Sequence, residues 1–232
     1  MKRERGVVIA VDGPSGAGKS TISKALSKRL GYLEIDTGAM YRAMAWLARE
    51  AGLDFENHQA VKAFSDHAEV ELQLHNGSTR VLANGQDVTS EIRTPEISML
   101  TSKISALAPV REAMMSLQRK MGAKGGVVLD GRDIGTVVFP DAEIKFFLSA
   151  SAEERGRRRF LELQAKGVQT SLQETINDVA KRDQQDSERE LAPLRQADDA
   201  IPIDSTGLTI EEVIALMEQV YRERTAGKET EL

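Results

Sequence analysis

Gly13-Pro14-Ser15-Gly16-Ala17-Gly18-Lys19-Ser20 matches the pattern G-x-x-x-x-G-K-[ST] in full. The apolar run Val7-Val8-Ile9-Ala10-Val11 precedes it and reads as a buried strand. The residues that follow, Thr21 to Leu30, place apolar side chains at 22, 25, 26 and 30 on one helical face. Strand, glycine loop and helix, in that order, are the context in which such a loop cradles phosphates. Its glycines let the backbone approach an anion with no Cβ in the way, and its N–H groups and the helix N-terminus face the phosphate chain. Lys19 can reach the β- and γ-phosphates, and the Ser20 hydroxyl suits Mg²⁺. The stretch predicts nucleoside triphosphate binding through residues 13–20 and Thr21. The competing reading is a glycine-rich turn with no ligand. The loop alone does not say what becomes of the γ-phosphate.

Four more short apolar runs read as parallel core strands: Tyr32-Leu33-Glu34-Ile35, Val127-Val128-Leu129, Ile144-Lys145-Phe146-Phe147-Leu148 and Ala200-Ile201-Pro202-Ile203. Asp12, Asp36, Asp130 and Asp204 stand where strands end, and ligands of open α/β sheets bind at that edge. Thr209-Ile210-Glu211-Glu212 is a capping box ahead of an amphipathic helix through Tyr221. From Thr225 onward the chain reads as a polar, frayed tail. One region breaks this rhythm. Val70–His75, Thr79–Ala83 and Gln86–Val88 are separated by Asn76-Gly77 and Asn84-Gly85, which predicts a small three-stranded antiparallel meander. Helical segments are expected on either side, over 57–69 and 94–121. The fold expected is α/β, a five-stranded parallel sheet flanked by helices with this antiparallel insert.

Composition narrows the function. The chain has 232 residues, a net charge of −5, no cysteine and 41% hydrophobic residues. The acidic balance argues against bulk binding to nucleic acid. The lack of cysteine leaves no disulfide framework or thiolate metal site and suits a reducing cytoplasm. The N-terminal apolar run is too short for a signal peptide or a membrane span. His58, His67 and His75 are scattered and read as surface residues, and Trp46 as a packing residue. Against the overall acidity, Arg155, Arg157, Arg158, Arg159, Arg182, Arg189 and Arg195 crowd one stretch. Some must be solvated and paired along helices, as Glu154 and Arg158 are at i,i+4 spacing. Between Arg182 and Arg189, however, cations alternate with Asp183, Asp186 and Glu188, a pattern that can hold guanidinium forks toward a phosphate. There is no serine–histidine–aspartate arrangement. The pattern fits phosphoryl transfer, in which positioning and charge neutralisation supply most of the catalysis. A phosphate acceptor is already ionised and needs no general base, and a mobile arginine-bearing lid would keep water out.

Five motifs carry a resemblance over roughly residues 6 to 222. They are Gly13–Thr21, Asp36-Thr37-Gly38-Ala39-Met40-Tyr41-Arg42, Ser90-Glu91-Ile92-Arg93-Thr94, Asp130–Ala142, and Arg182-Asp183 with Asp186 and Arg189. With them the chain resembles the bacterial cytidylate kinases, members of the nucleoside monophosphate kinase family. The resemblance implies a core of residues 1–36, 125–154 and 190–224. It also implies a monophosphate-binding region, 37–124, carrying the insert at 68–90, and a helical lid, 155–189. The implied reaction takes ATP and CMP or dCMP to ADP and CDP or dCDP, with Mg²⁺ on Ser20 and Asp130 reaching the ion through water. The implied catalytic residues are Lys19, Arg132, Arg158, Arg159, Arg182 and Arg189. For the acceptor nucleotide they are Asp36, Thr37, Arg42, Ser102, Arg111, Arg132, Asp133, Arg182, Asp186 and Arg189, with Asp186 on the ribose and Ser102, Arg111 and Asp133 on cytosine. A carboxylate can accept the cytosine N4 amino group, whereas uracil would face it with a carbonyl. That mismatch costs roughly 1–3 kcal/mol, about ten- to a hundredfold in selectivity. The family favours a monomer acting on small nucleotides. Two departures stand out: Thr37 where the family tolerates serine, and Glu188, which adds a negative charge near the clamp. The rival readings are a kinase of UMP, AMP or a small hydroxyl substrate, and a GTPase-like switch, for which the chain has no N-K-x-D tetrapeptide.

Overall fold

The computed structural model describes residues 3–75 and 78–226. In chain order the elements are β1 (Val8–Asp12), α1 (Lys19–Leu30), β2 (Leu33–Asp36), α2 (Thr37–Glu50), α3 (His58–His67), β3 (Val70–His75), β4 (Ser78–Ala83) and β5 (Gln86–Asp87). They continue with α4 (Pro95–Ile104), α5 (Ala108–Gly122), β6 (Val127–Gly131), β7 (Ile144–Ser149), α6 (Ala152–Ala165), α7 (Leu172–Glu188), β8 (Ile201–Asp204) and α8 (Ile210–Thr225). The five expected parallel strands form one sheet in the order β2-β6-β1-β7-β8. Every residue of β1 and of β6 is buried, as an uninterrupted apolar run requires of a strand covered on both faces. The register sets Asp12 opposite Gly131 and Phe147, so β1 and β6 finish level while β7 runs on to Ser149. That edge is where an open α/β sheet binds ligands.

The chain divides into two compact units, residues 1–34 with 122–232, and residues 35–121. In the first, Ile22 and Leu26 of α1 and Val213, Ile214 and Met217 of α8 pack with Ile9, Val11, Phe146 and Leu148 of the sheet. Ala25, Leu30, Val220 and Tyr221 are half-buried at the margin of this core. The capping box of α8 forms as its sequence implies, Thr209 and Glu212 each satisfying the other's backbone N–H.

In the second unit the meander forms from β3, β4 and β5, with Val70 paired to Ala83 and Leu72 to Val81. Val70, Val81 and Ala83 are all buried, so the alternation turns one face inward. Asn84 (φ 47°) and Gly85 (φ 79°) are both left-handed, as the tight turn of a two-residue hairpin demands. The companion turn expected at Asn76-Gly77, and the end of the polar tail, lie outside the described residues. One expectation is corrected: the helix expected over 94–121 is two, α4 and α5, broken at Ser105–Leu107. Pro109 has no N–H to bond the Ser105 carbonyl four residues back, and its ring would collide with it. His58, His67 and His75 are exposed and Trp46 is half-buried. Among the described residues no helix is long and apolar enough to cross a membrane.

Candidate functional site

At the end of β1 the chain turns through Gly13, Gly16 and Gly18, all with positive φ. Gly13 is forced by space as well: a Cβ there would lie 2.0 Å from the Leu148 carbonyl oxygen. Lys19 opens α1 with 6% of its surface exposed, and its Nζ donates to the Pro14 carbonyl at 2.6 Å. Burial and the nearby Arg132 guanidinium push the Lys19 ammonium well below its ordinary value, against the opposing pull of Asp130, Asp12 and Asp186. The next residue, Ser20, donates from Oγ to Asp130 Oδ2 at 2.7 Å. Hydroxyl and carboxylate are hard oxygen donors, the kind Mg²⁺ prefers. No group of three or more His, Cys, Asp or Glu side chains that could hold a metal occurs among the described residues. These two oxygens suit a Mg²⁺ that draws its remaining ligands from water and phosphate.

The loop after β6 carries Arg132 and Asp133 and then closes a short π-helical turn over Ile134–Val138. Asp12 anchors its start. Its two carboxylate oxygens accept the N–H groups of Ile134 (2.9 Å) and Gly135 (2.7 Å). Burial raises the Asp12 pKa to about 6 despite those two bonds. Arg132 donates from Nε to Asp186 Oδ2 at 2.7 Å, with the carboxylate 8% exposed. Burial alone would raise the Asp186 pKa, but Arg132, Arg182 and Arg189 together hold it below the ordinary carboxylate value. Arg189 Nη2 stands 3.7 Å from Asp133 Oδ1, and its Nε donates to the Ala192 carbonyl at 2.5 Å. Lys19, Arg132, Asp133, Arg182, Asp186 and Arg189 thus form a mostly buried, alternating charge cluster beside the glycine loop.

The arginines of α6 divide. Arg158 donates to Ser205 Oγ (3.0 Å) and the Ser205 carbonyl (2.8 Å), pairs with Glu154, and lies against Gly18. Arg159 pairs instead with Glu162, 2.7 Å away and half-exposed. Glu188 does not join the charge cluster: it is exposed and accepts a bond from Gln184 at 3.0 Å. Thr21 is exposed. Sequence reasoning passed over Arg155, whose cationic head is buried although its neighbours Arg157 and Arg159 are solvated. A stretch dense in arginine gives no periodic signal that singles it out.

The second unit presents its own set. Asp36 caps α2, accepting the Ala39 N–H at 2.7 Å, and the same carboxylate pairs with Arg42 Nη2 at 3.2 Å. Thr37, the first residue of α2, is buried. A Cβ on Gly38 would stand 3.1 Å from both Asp36 Oδ1 and Arg42 Nη1, so this glycine leaves room for the pair. Arg111, 9% exposed, donates from Nη1 to the Ser105 carbonyl at 3.1 Å, the carbonyl freed by Pro109, and lies over the Tyr41 ring at 5.9 Å. Ser102 is half-buried on α4.

A family model described as Cytidylate kinase matches residues 9–223 of this chain. A cytidylate kinase of Geobacter sp. (strain M21) is 60% identical over 224 residues, covering 97% of this chain and 96% of that protein. One from Geobacter sulfurreducens is 61% identical over 220 residues, covering 95% and 94%. Among solved structures, a shikimate kinase from Acinetobacter baumannii aligns over 95% of each chain at 14% identity and a TM-score of 0.42.

Proposed function

This chain belongs to the cytidylate kinase family, and on that premise we propose that it transfers the γ-phosphate of ATP to CMP or dCMP. The observation that carries the reading is the buried charge cluster at the loop. Lys19 of the glycine loop and Arg132 of the β6 loop share that cluster, the guanidinium close enough to lower the Lys19 ammonium, so groups suited to a donor and to an acceptor phosphate lie side by side. In the transfer an ionised oxygen of the acceptor phosphate forms a bond to the γ-phosphorus. The bond from that phosphorus to the β-bridging oxygen breaks, and ADP leaves. No proton has to be removed first, so a site rich in arginine can serve without a general base. Lys19 and the N–H groups from Gly16 to Ser20 hold the donor phosphates. Arg42, Arg132, Arg182 and Arg189 hold the acceptor phosphate and neutralise charge that grows in the transition state. Arg158, set against Gly18, and Arg159 add positive charge from the lid, residues 155–189. Ser20 would hold Mg²⁺, with Asp130 reaching the ion through water, and the ion when bound neutralises charge on the donor phosphates.

Ser102, Arg111 and Asp133 would read cytosine, and Asp186 the ribose. Residues 37–124 act in this reading as the monophosphate-binding region. The protein acts on small nucleotides in the cytoplasm, a reading supported by its net charge of −5 and its lack of cysteine, and as a monomer, which only the family resemblance favours. The test is ADP release with ATP, Mg²⁺ and CMP, dCMP, UMP, AMP or shikimate as acceptor. CMP or dCMP is expected to turn over at least tenfold better, by kcat/KM, than any other acceptor. Equal turnover of UMP and CMP would remove the cytosine reading.

A further inference from the structure

Two carboxylates stand three residues apart on the inward face of α7, and the phosphate-transfer reading uses only one of them. That face runs through Thr175, Val179, Asp183 and Asp186, at helical spacing. Asp186 meets Arg132 of the acceptor clamp. Asp183 meets the donor loop: the Ser15 N–H donates to its Oδ1 at 3.1 Å, and its Oδ2 pairs with Arg155 Nη1. Arg155 completes a bracket. The same Nη1 donates to the Ser15 carbonyl at 3.0 Å, and Nε donates to the Ala150 carbonyl at 2.9 Å. Both backbone polar atoms of Ser15 are therefore held by one charged pair drawn from two helices. The pair is largely sheltered, with side-chain exposures of 9% for Arg155 and 18% for Asp183. Gly16 seals the contact. A Cβ there would meet the Arg155 backbone oxygen and Cβ at 3.0 Å, and φ is +77°.

We propose that Asp183, braced by Arg155, is a positioning residue for the phosphate-donor loop, fixing Ser15 from the helix that also carries the acceptor-binding residues Arg182 and Asp186. The proposal rests on the phosphate-transfer reading for what the loop binds. Ser15 precedes the run of N–H groups from Gly16 to Ser20. With its N–H and carbonyl both held, the direction of the chain entering that run is set before any phosphate arrives. A site that is preorganised spends less binding energy on ordering itself. Because Asp183 and Asp186 share one helix face but have separate hydrogen-bond partners, each should act mainly on its own substrate.

The test is titration of the full chain with a non-hydrolysable ATP analogue plus Mg²⁺ and, separately, with CMP, alongside steady-state turnover and melting temperature. Asp183→Ala is expected to weaken the analogue about tenfold or more, since a charge-assisted bond and a backbone partner are lost together. CMP binding should change less than threefold. Asp183→Asn keeps an acceptor for the Ser15 N–H and is expected to recover much of the loss. If the alanine variant does not fold, Asp183→Asn carries the test alone, with the analogue weakened at least threefold. Arg155→Ala with Asp183→Ala should be no worse than the more damaging single change, because the two act as one unit. Asp178→Asn removes a charge from the exposed side of the same helix and should alter neither affinity. An unchanged or tighter analogue affinity in Asp183→Ala would overturn the proposal. So would equal weakening of analogue and CMP that tracks a fall in melting temperature. A wild-type chain that binds the analogue but does not phosphorylate CMP would sink the kinase reading, while the titrations still decide the role of Asp183.

Discussion

The two compact units hold their charged groups in different ways. In the first, charged side chains join segments far apart in the chain: Arg132 to Asp186, Arg158 to Ser205, Asp183 to Ser15, and Asp12 to the turn at Ile134. In the second, the contacts around the candidate residues and helix caps are short in sequence, while Arg49 reaches Glu96 at the surface. Asp36 caps its own helix and reaches Arg42, Arg111 bonds Ser105, and Thr94 and Asn57 cap α4 and α3. Most of the groups proposed to hold phosphate belong to the first unit, Arg42 being the exception. Charges that must face a polyanion in a fixed pose are held by partners the chain cannot shift locally, whereas local contacts mainly set where a helix begins.

The largest break in this comparison should come from Arg132→Ala and Arg182→Ala. Each is expected to lower turnover about a hundredfold or more, as a lost charge-assisted contact to phosphate implies. Arg132→Ala also takes the hydrogen-bonding cation from the buried Asp186 and leaves it to Arg182 and Arg189, a loss expected to stay below the roughly 3–5 kcal/mol of a fully stranded charge in urea unfolding. Arg42→Ala should cost far less stability, because Asp36 keeps its bond to the Ala39 N–H. Similar losses for Arg132→Ala and Arg42→Ala would erase the distinction between the units.

Next in size, Asp133→Ala should reduce the preference for CMP over UMP, in kcat/KM, by about tenfold or more, the scale of one unsatisfied buried polar group. An unchanged ratio would move cytosine recognition elsewhere. Asp12 sharpens the contrast through pH. Its folded pKa of about 6 lies above the ordinary 3.8. The stability it contributes is therefore full below about 3.8 and is lost as pH rises through about 6. The melting temperature of wild type minus that of Asp12→Asn should be larger at pH 4.5 than at pH 7.5, and a difference flat with pH would refute this. Smallest is Thr94→Ala, which removes the cap on the Ile97 N–H. It should cost about 1 kcal/mol in urea unfolding and leave turnover unchanged.

Much of the fold was legible because it rests on local rules. The apolar runs gave the five core strands, the capping box gave the start of α8, and Asn84-Gly85 gave a hairpin. The split between α4 and α5 could have been read from Pro109, whose missing N–H is a local fact. Candidate residues announced themselves where chemistry repeats in sequence, as in Gly13–Ser20 and in the alternation from Arg182 to Arg189. Arg155 and Asp183 did not stand out as a pair. Twenty-eight positions separate them, and nothing in either neighbourhood marks a partner.

The sequence by itself determined the glycine loop, the strand and helix around it, the inserted meander and the density of arginine. Each follows from backbone freedom, periodicity or charge over a few residues. Tertiary structure alone decided which charges are buried and which carboxylate holds which arginine. It sent Glu188 to solvent while turning Asp183 and Asp186 inward. Desolvation and long-range pairing depend on what packs from elsewhere in the chain. No run of neighbouring letters encodes them.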